Sequence, residues 1–136
     1  MKRPTAPDPL VPHKAARQAR GLRARISGRR AEWLAALWLM AKGYRVLGLR
    51  LKTPFGEIDL LVQRGAVLAV VEVKRRRTLD EALMAVGAIQ RERLARAGAN
   101  LAARRRDVGK LAVRLDLIAL APGRWPRHIP AAWGQD

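Results

Sequence analysis

The stretch AVLAVVEVK, residues 66–74, limits the fold more than any other part of the chain, because its only polar side chains are Glu72 and Lys74. A run of that kind, rich in β-branched Val, is a strand covered on both faces, so it belongs in the middle of a sheet with a layer packed on either side. EIDLLVQ at 57–63 predicts a second strand, and the Arg64-Gly65 step between the two reads as a hairpin turn. YRVLGLRL at 44–51 predicts an earlier strand, separated from the second by KTPFG, where Pro54 and Gly56 mark a turn. KLAVRLDLIAL at 110–120 predicts the last.

Helical spacing appears on both sides of this strand block. A helix is expected from near Ser27, whose hydroxyl can cap it, to Gly43, with Leu34, Leu37, Trp38 and Ala41 as its core face. Residues 79–104 predict a long helix with Leu83, Val86, Leu94, Ala97 and Leu101 inward, and a break at Gly87 or Gly98. The closing APGRWPRHIPAAW reads as irregular. Helix, three strands, helix, strand is the order of an α/β fold, a mixed β-sheet with helices packed against it. A chain of 136 residues fits one such domain over 28–136, preceded by a basic, flexible arm at 1–27.

Charge narrows the partner. Lys and Arg number 28 against 11 Asp and Glu, a formal net charge of +17, which points to a polyanion and first to nucleic acid. The chain has no cysteine, which excludes disulfides and a thiolate zinc site. Its longest apolar run, AEWLAALWLMA at 31–41, is too short for a bilayer span, and no lipidation motif or signal-peptide core is present. No membrane partner is expected, and a cytoplasmic location is.

Three carboxylates then need a reason. Glu57, Asp59 and Glu72 stand inside the most apolar strands, where an acidic side chain must be paired, protonated or bound to a cation. Alternation puts Glu57 and Asp59 on one face of their strand and Glu72 and Lys74 on one face of theirs. Pairing across the Arg64-Gly65 turn brings Asp59 beside Glu72 and Lys74. Two convergent carboxylates and a backbone carbonyl form a hard oxygen site suited to a divalent ion such as magnesium. Lys74 could then orient or deprotonate an attacking water while the ion stabilises charge on a phosphodiester. Simpler readings stand beside this one. Glu57, Asp59 and Glu72 could each pair with an Arg, Glu32 could be a carboxylate favoured near a helix N-terminus, and Asp116 a structural partner of a core Arg or Lys. Trp125 and Trp133 either cover a sheet edge or stack on a base.

Asp59, twelve intervening residues and then EVK at 72–74 form the pattern of the PD-(D/E)XK nucleases. Together with GEIDLLV, the strand ending in VEVKRR, and Glu32 in GRRAEWLAALWL, the pattern resembles the YraN-like family. These are small bacterial proteins with a restriction-endonuclease-like fold, structurally akin to archaeal Holliday-junction resolvases. The resemblance covers about residues 28–133, including RLDLIAL and PRHIPAAW. It implies a metal-dependent nuclease in which Asp59 and Glu72 bind Mg2+ (or Mn2+), Val73 contributes its carbonyl, Lys74 serves the water, and Glu32 reaches in from the first helix. Family members often carry Lys or Arg at the start of the second helix. Here the chain reads AIQRERL, so either Gln90 takes the polar role or Ile89 is the aligned residue. The implied substrate is DNA, including branched or repair intermediates; the charge pattern points to phosphate contacts from Lys14, Arg17, Arg20, Arg23, Arg25, Arg29, Arg30, Arg75, Arg76, Arg77, Arg91 and Arg93, with an ordinary solvated terminus as the alternative for the N-terminal run. The rival reading is a non-catalytic basic nucleic-acid-binding module on the same fold. A homodimer would set two metal sites on one substrate.

Overall fold

Apolar strands of this length pair wherever a tight turn lets them, and the turns at Pro54–Gly56 and Gly65 do so. The computed structural model describes residues 28–105 and 107–134. Lys14, Arg17, Arg20, Arg23 and Arg25, the cap expected at Ser27 and the arm at 1–27 lie outside the described residues. The compact unit beginning at Ala31 holds the sheet and every site below. Residues 28–41 are helical (α1). The strands β1 (Arg45–Thr53), β2 (Gly56–Arg64), β3 (Val67–Arg75), β4 (Ala112–Leu120) and β5 (Arg127–Ile129) form one sheet in that order. All neighbours are antiparallel except β3 and β4, which run parallel. A parallel pair needs a crossover, supplied by α2 (Leu79–Met84) and α3 (Ala88–Arg104). The result is a mixed sheet flanked by helices, consistent with a restriction-endonuclease-like fold, and β3 is its central strand, buried along most of its length like its neighbour β4.

The two faces of β3 bury different layers. Ala69 and Val71 pack with Leu60, Val62, Ile118 and α1, whereas Leu68 and Val70 pack with Leu61, Leu115 and α3. On α1 the core face differs from the expected one. Ala31, Ala35, Ala36 and Leu39 are buried, while Leu34 and Leu37 stay 49% and 58% exposed, Ala41 is exposed and only Trp38 is partly covered. The helix is apolar on nearly every side, so spacing alone fits two stripes; the stripe of small alanines wins because it lets the helix lie close to the sheet.

The long second helix breaks at Gly87, which precedes α3 in an extended conformation. Gly98 instead stays inside α3, buried. A Cβ there would stand 2.6 Å from Val70 Cγ2 and 3.0 Å from Val113 Cγ1, so its missing side chain sets how closely α3 approaches β3 and β4. Thr78 caps α2, its Oγ1 accepting from Glu81 N–H at 3.1 Å, with Asp80 and Glu81 in the first turn.

The C-terminal segment is more regular than its sequence suggests, for Arg127–Ile129 pairs with Leu117–Ala119 as β5. Flanking Pro126 and Pro130 leave too few residues for a strand period to show. What holds the segment is Asp116, which is fully buried. Its Oδ1 accepts from Arg114 Nε at 2.7 Å and Ala131 N–H at 3.1 Å. Its Oδ2 accepts from Arg114 Nη2 and lies 2.8 Å from His128 Nε2, which must carry the hydrogen because an ionised carboxylate only accepts. Arg114 Nη2 also donates to the Tyr44 hydroxyl at 2.8 Å. Burial alone would raise the Asp116 carboxyl, but hydrogen bonds from His128, Arg114 and Ala131 outweigh it and hold the group below the ordinary carboxylate range.

Candidate active site

The site forms where β2 leaves β3. Their ladder ends at the Leu60–Val71 pair, and the Val73 N–H is instead taken by Asp59, whose Oδ2 accepts it at 3.0 Å. Ile58 and Leu61 face the α3 core while Leu60 and Val62 face α1. The alternation of side chains therefore slips by one beside Asp59, which turns this carboxylate toward the edge of β3 rather than into either layer.

Glu72, on β3, is only 5% exposed. Its Oε1 accepts from Gln90 Nε2 at 3.4 Å and lies 3.4 Å from Lys74 Nζ. It also shares a hydrogen bond with the Asp59 carboxyl, which needs a proton between them. Burial, then the Asp59 charge, pushes Glu72 up to about 7 against the pull of Lys74. Burial likewise raises Asp59, against the Val73 N–H and Lys74. Of the two, Glu72 is the better place for the shared proton, since the Val73 N–H favours ionised Asp59. One ammonium, that of Lys74, thus stands against a buried carboxylate and a part-buried one.

Glu32 is drawn elsewhere. Its Oε2 accepts from Arg50 Nε at 2.6 Å, and Arg50 adopts φ +52°, a left-handed conformation costing a non-glycine residue on the order of 1 kcal/mol. The hydrogen bond from Arg50 to Glu32 raises the guanidinium above its ordinary value despite desolvation, and Glu57 and Asp59 add their charges. Arg50 was not singled out by sequence; the signal is an Arg inside an apolar strand just after the Val46–Gly48 irregularity. Glu57 is exposed at the start of β2, outside the Asp59–Glu72 pair.

Site residues Asp59, Glu72, Val73, Lys74 and Gln90 are therefore brought together. Ile89, 70% exposed, turns instead to a cleft of about 520 Å³ lined by Phe55, Glu57, Gln90 and Arg93. Arg29, Arg30, Arg75, Arg76, Arg77 and Arg93 are exposed, whereas Arg91 is half-buried with its guanidinium 5.8 Å from the Trp133 ring centroid.

Among the described residues no group of three or more acidic, His or Cys side chains suited to a metal forms. The donors on offer are the two carboxylates. Magnesium, which keeps several waters and takes one or two carboxylates together with substrate phosphates, fits that set. Two converging carboxylates with, among the described residues, only Lys74 as a neighbouring ammonium are the feature that favours it. No described helix is long and apolar enough to cross a membrane.

Residues 31–120 match the model of the family described as "Uncharacterised protein family UPF0102". The chain belongs to the UPF0102 family. This is the YraN-like, nuclease-like group that the motif resembles. A UPF0102 protein of Caulobacter vibrioides (strain NA1000 / CB15N) is 69% identical over 118 residues, covering 87% of this chain and 94% of the relative. One from Maricaulis maris (strain MCS10) is 50% identical over 110 residues, 81% and 87% of the two chains. One from Bartonella tribocorum (strain CIP 105476 / IBS 506) is 44% identical over 126 residues, 93% and 97%. The UPF0102 match takes in Glu32, Asp59, Glu72, Lys74 and Gln90, all within residues 31–120.

Proposed function

We propose that the protein is a magnesium- or manganese-dependent nuclease that hydrolyses phosphodiesters of DNA, including branched or repair intermediates. The observation that carries this reading is the convergence of the part-buried Asp59, bound to the Val73 N–H, with the buried Glu72, which Lys74 and Gln90 flank. Asp59 and Glu72 would hold the ion, with the Val73 carbonyl as a third oxygen. Once bound, it would supply Lewis-acid stabilisation of charge on the scissile phosphate. The chain's own groups do the rest. The Lys74 ammonium would orient an attacking water by donating to it, while Gln90 keeps Glu72 from rotating away. Arg50 holds Glu32 in an ion pair of its own, and the exposed arginines give binding that falls steeply with salt.

The test is calorimetric Mg2+ and Mn2+ binding, alongside cleavage of labelled linear and branched DNA, by wild type, Asp59→Ala and Lys74→Ala. We expect metal-dependent cutting by wild type, loss of metal binding and cutting in Asp59→Ala, and loss of cutting alone in Lys74→Ala. Cleavage that survives Asp59→Ala would exclude the site. The second reading, a binding module without hydrolysis, draws on Lys74 and Gln90 both engaging Glu72. It predicts salt-sensitive DNA binding with no metal-dependent product.

A further inference from the structure

Beyond the carboxylates, β3 and β4 end together, and their ends enclose a second feature. A pocket of about 180 Å³ is lined by Arg76 and Arg77 after β3, Arg124, Trp125 and Arg127 around the β4–β5 turn, and Ala119 at its floor. Its remaining lining residues, Thr78, Leu79 and Ala121, add no acid. Arg77, Arg124 and Arg127 have no side-chain hydrogen bond or ion pair among the described residues, and the Arg76 Nη1 donates only to the neighbouring Arg75 carbonyl. Four arginines and no acid line one small cavity, a local excess of positive charge that favours a bound anion.

The size of the cavity and the indole beside it define the anion. Pockets that enclose a drug-sized ligand run to roughly 300 Å³ or more, so this one has room for a phosphate group and its waters but not for a whole nucleotide. A base attached to that phosphate must lie outside. There Trp125 waits, 79% exposed, yet not loose: it stacks on Trp38 with ring centroids 5.7 Å apart and planes at 29°, and Lys42 Nζ sits 5.4 Å from the Trp38 ring centroid. An exposed but buttressed indole is a stacking platform whose ordering cost is already met by the fold. Bases inside a duplex have no free face for it, whereas bases of an unpaired strand do. The position also suits the carboxylate site, because Arg76 follows Lys74 by two residues in extended chain, roughly 7 Å, and its N–H donates to the Leu120 carbonyl at 3.0 Å.

We propose that this pocket is a subsite for an unpaired nucleic-acid strand, with Arg76, Arg77, Arg124 and Arg127 holding one phosphate and the adjoining base stacked on Trp125. Resting on the nuclease reading above, it makes the substrate of the Asp59–Glu72 site a DNA with a single-stranded stretch, such as a branch, gap or frayed end.

Binding of a fluorescent 15-nucleotide oligo-dT and of a blunt 15-base-pair duplex to the full chain, in chelator and over a salt series, tests it. Trp125→Ala should weaken single-strand binding by about 5- to 150-fold, the equivalent of one stacked base at 1–3 kcal/mol, and leave duplex affinity within about twofold. The Arg124→Gln/Arg127→Gln variant should reduce the single-strand salt slope by up to about 0.7, one phosphate's share. Trp125→Phe, which retains a ring against Trp38, should restore most of the affinity, so a folding defect in the alanine variant does not decide the matter. Equal losses on both DNAs, or unchanged single-strand binding in the Trp125→Ala and double-arginine variants, would overturn the subsite. Since chelator removes catalysis from the measurement, a wild type that never cuts DNA sinks the nuclease reading alone, and these binding results sink the subsite alone.

Discussion

Replacing Glu72 with Gln should stabilise the metal-free protein at alkaline pH, although the side chain is buried and hydrogen-bonded. The sign follows from linkage. Glu72 titrates at about 7 in the fold against an ordinary 4.5, so the folded state binds its proton more tightly than the unfolded one, and stability falls as pH rises from 4.5 through 7. At 1.36 kcal/mol per unit the shift corresponds to roughly 3 kcal/mol at pH 8; Asp59 titrates with it, so about 2 kcal/mol is the share expected of Glu72 alone. Gln fits the same contacts: its amide NH2 can donate to Asp59 where the shared proton was, and its oxygen can accept from Lys74 and Gln90. Urea denaturation in chelator at pH 5 and pH 8 reads the effect. Glu72→Gln should exceed wild type by about 2 kcal/mol at pH 8 and match it within about 0.5 at pH 5. Millimolar Mg2+ should then raise the wild-type midpoint at pH 8, by mass action on the folded state, and leave that of the variant nearly unmoved. A variant less stable than wild type at pH 8 would show that the carboxylates are not short of positive charge, and the electrostatic case for a cation would fail with it.

Asp116→Ala strands the Arg114 guanidinium, the His128 Nε2–H and the Ala131 N–H in a buried space, and should cost about 3–5 kcal/mol by chemical denaturation at pH 7. Because the Asp116 carboxyl is held below its ordinary range, its contribution is complete above about pH 4 and lost as pH falls further, so the variant should show a shallower acid limb than wild type. Gly98→Ala forces a methyl to within 2.6 Å of Val70 Cγ2 and should destabilise by about 1–3 kcal/mol, despite the better helix propensity of Ala; an increase in thermal midpoint would refute the close approach of α3.

The strands were legible because their signals are redundant. Val- and Leu-rich runs bounded by Pro54, Gly56 and Gly65 leave few alternatives, and the acid-X-lysine sequence ending β3 placed Glu72 and Lys74 on one face before any fold was known. The core face of α1 was not legible, since Leu34 and Leu37 are as apolar as Leu39 and only the sheet decides between them. Arg50 escaped for a related reason: its meaning depends on an irregular β1 and a left-handed φ, and neither leaves a mark in residue type. β5 escaped because three residues between prolines have no period, its position being set from Asp116, twelve residues before His128.

The convergence read from sequence and the β5 segment that sequence missed together give the sheet a chemical end. β2 parts from β3 at Asp59, which frees the Val73 N–H for a carboxylate and brings Asp59 to Glu72 in one step. β4 runs parallel to β3 and pairs with β5 over Leu117–Ala119, so the turn between them and the start of β5 bring Arg124, Trp125 and Arg127 to the pocket that Arg76 and Arg77 line. An anionic pair and a pocket lined by arginines therefore lie in succession along the end of one strand. On the proposed reading the first would hold a cation and the second a phosphate. A nucleic-acid strand arriving with a divalent ion satisfies both at once, which is the physical reason to expect metal and single-stranded DNA to bind with positive cooperativity, each strengthening the other by the same factor.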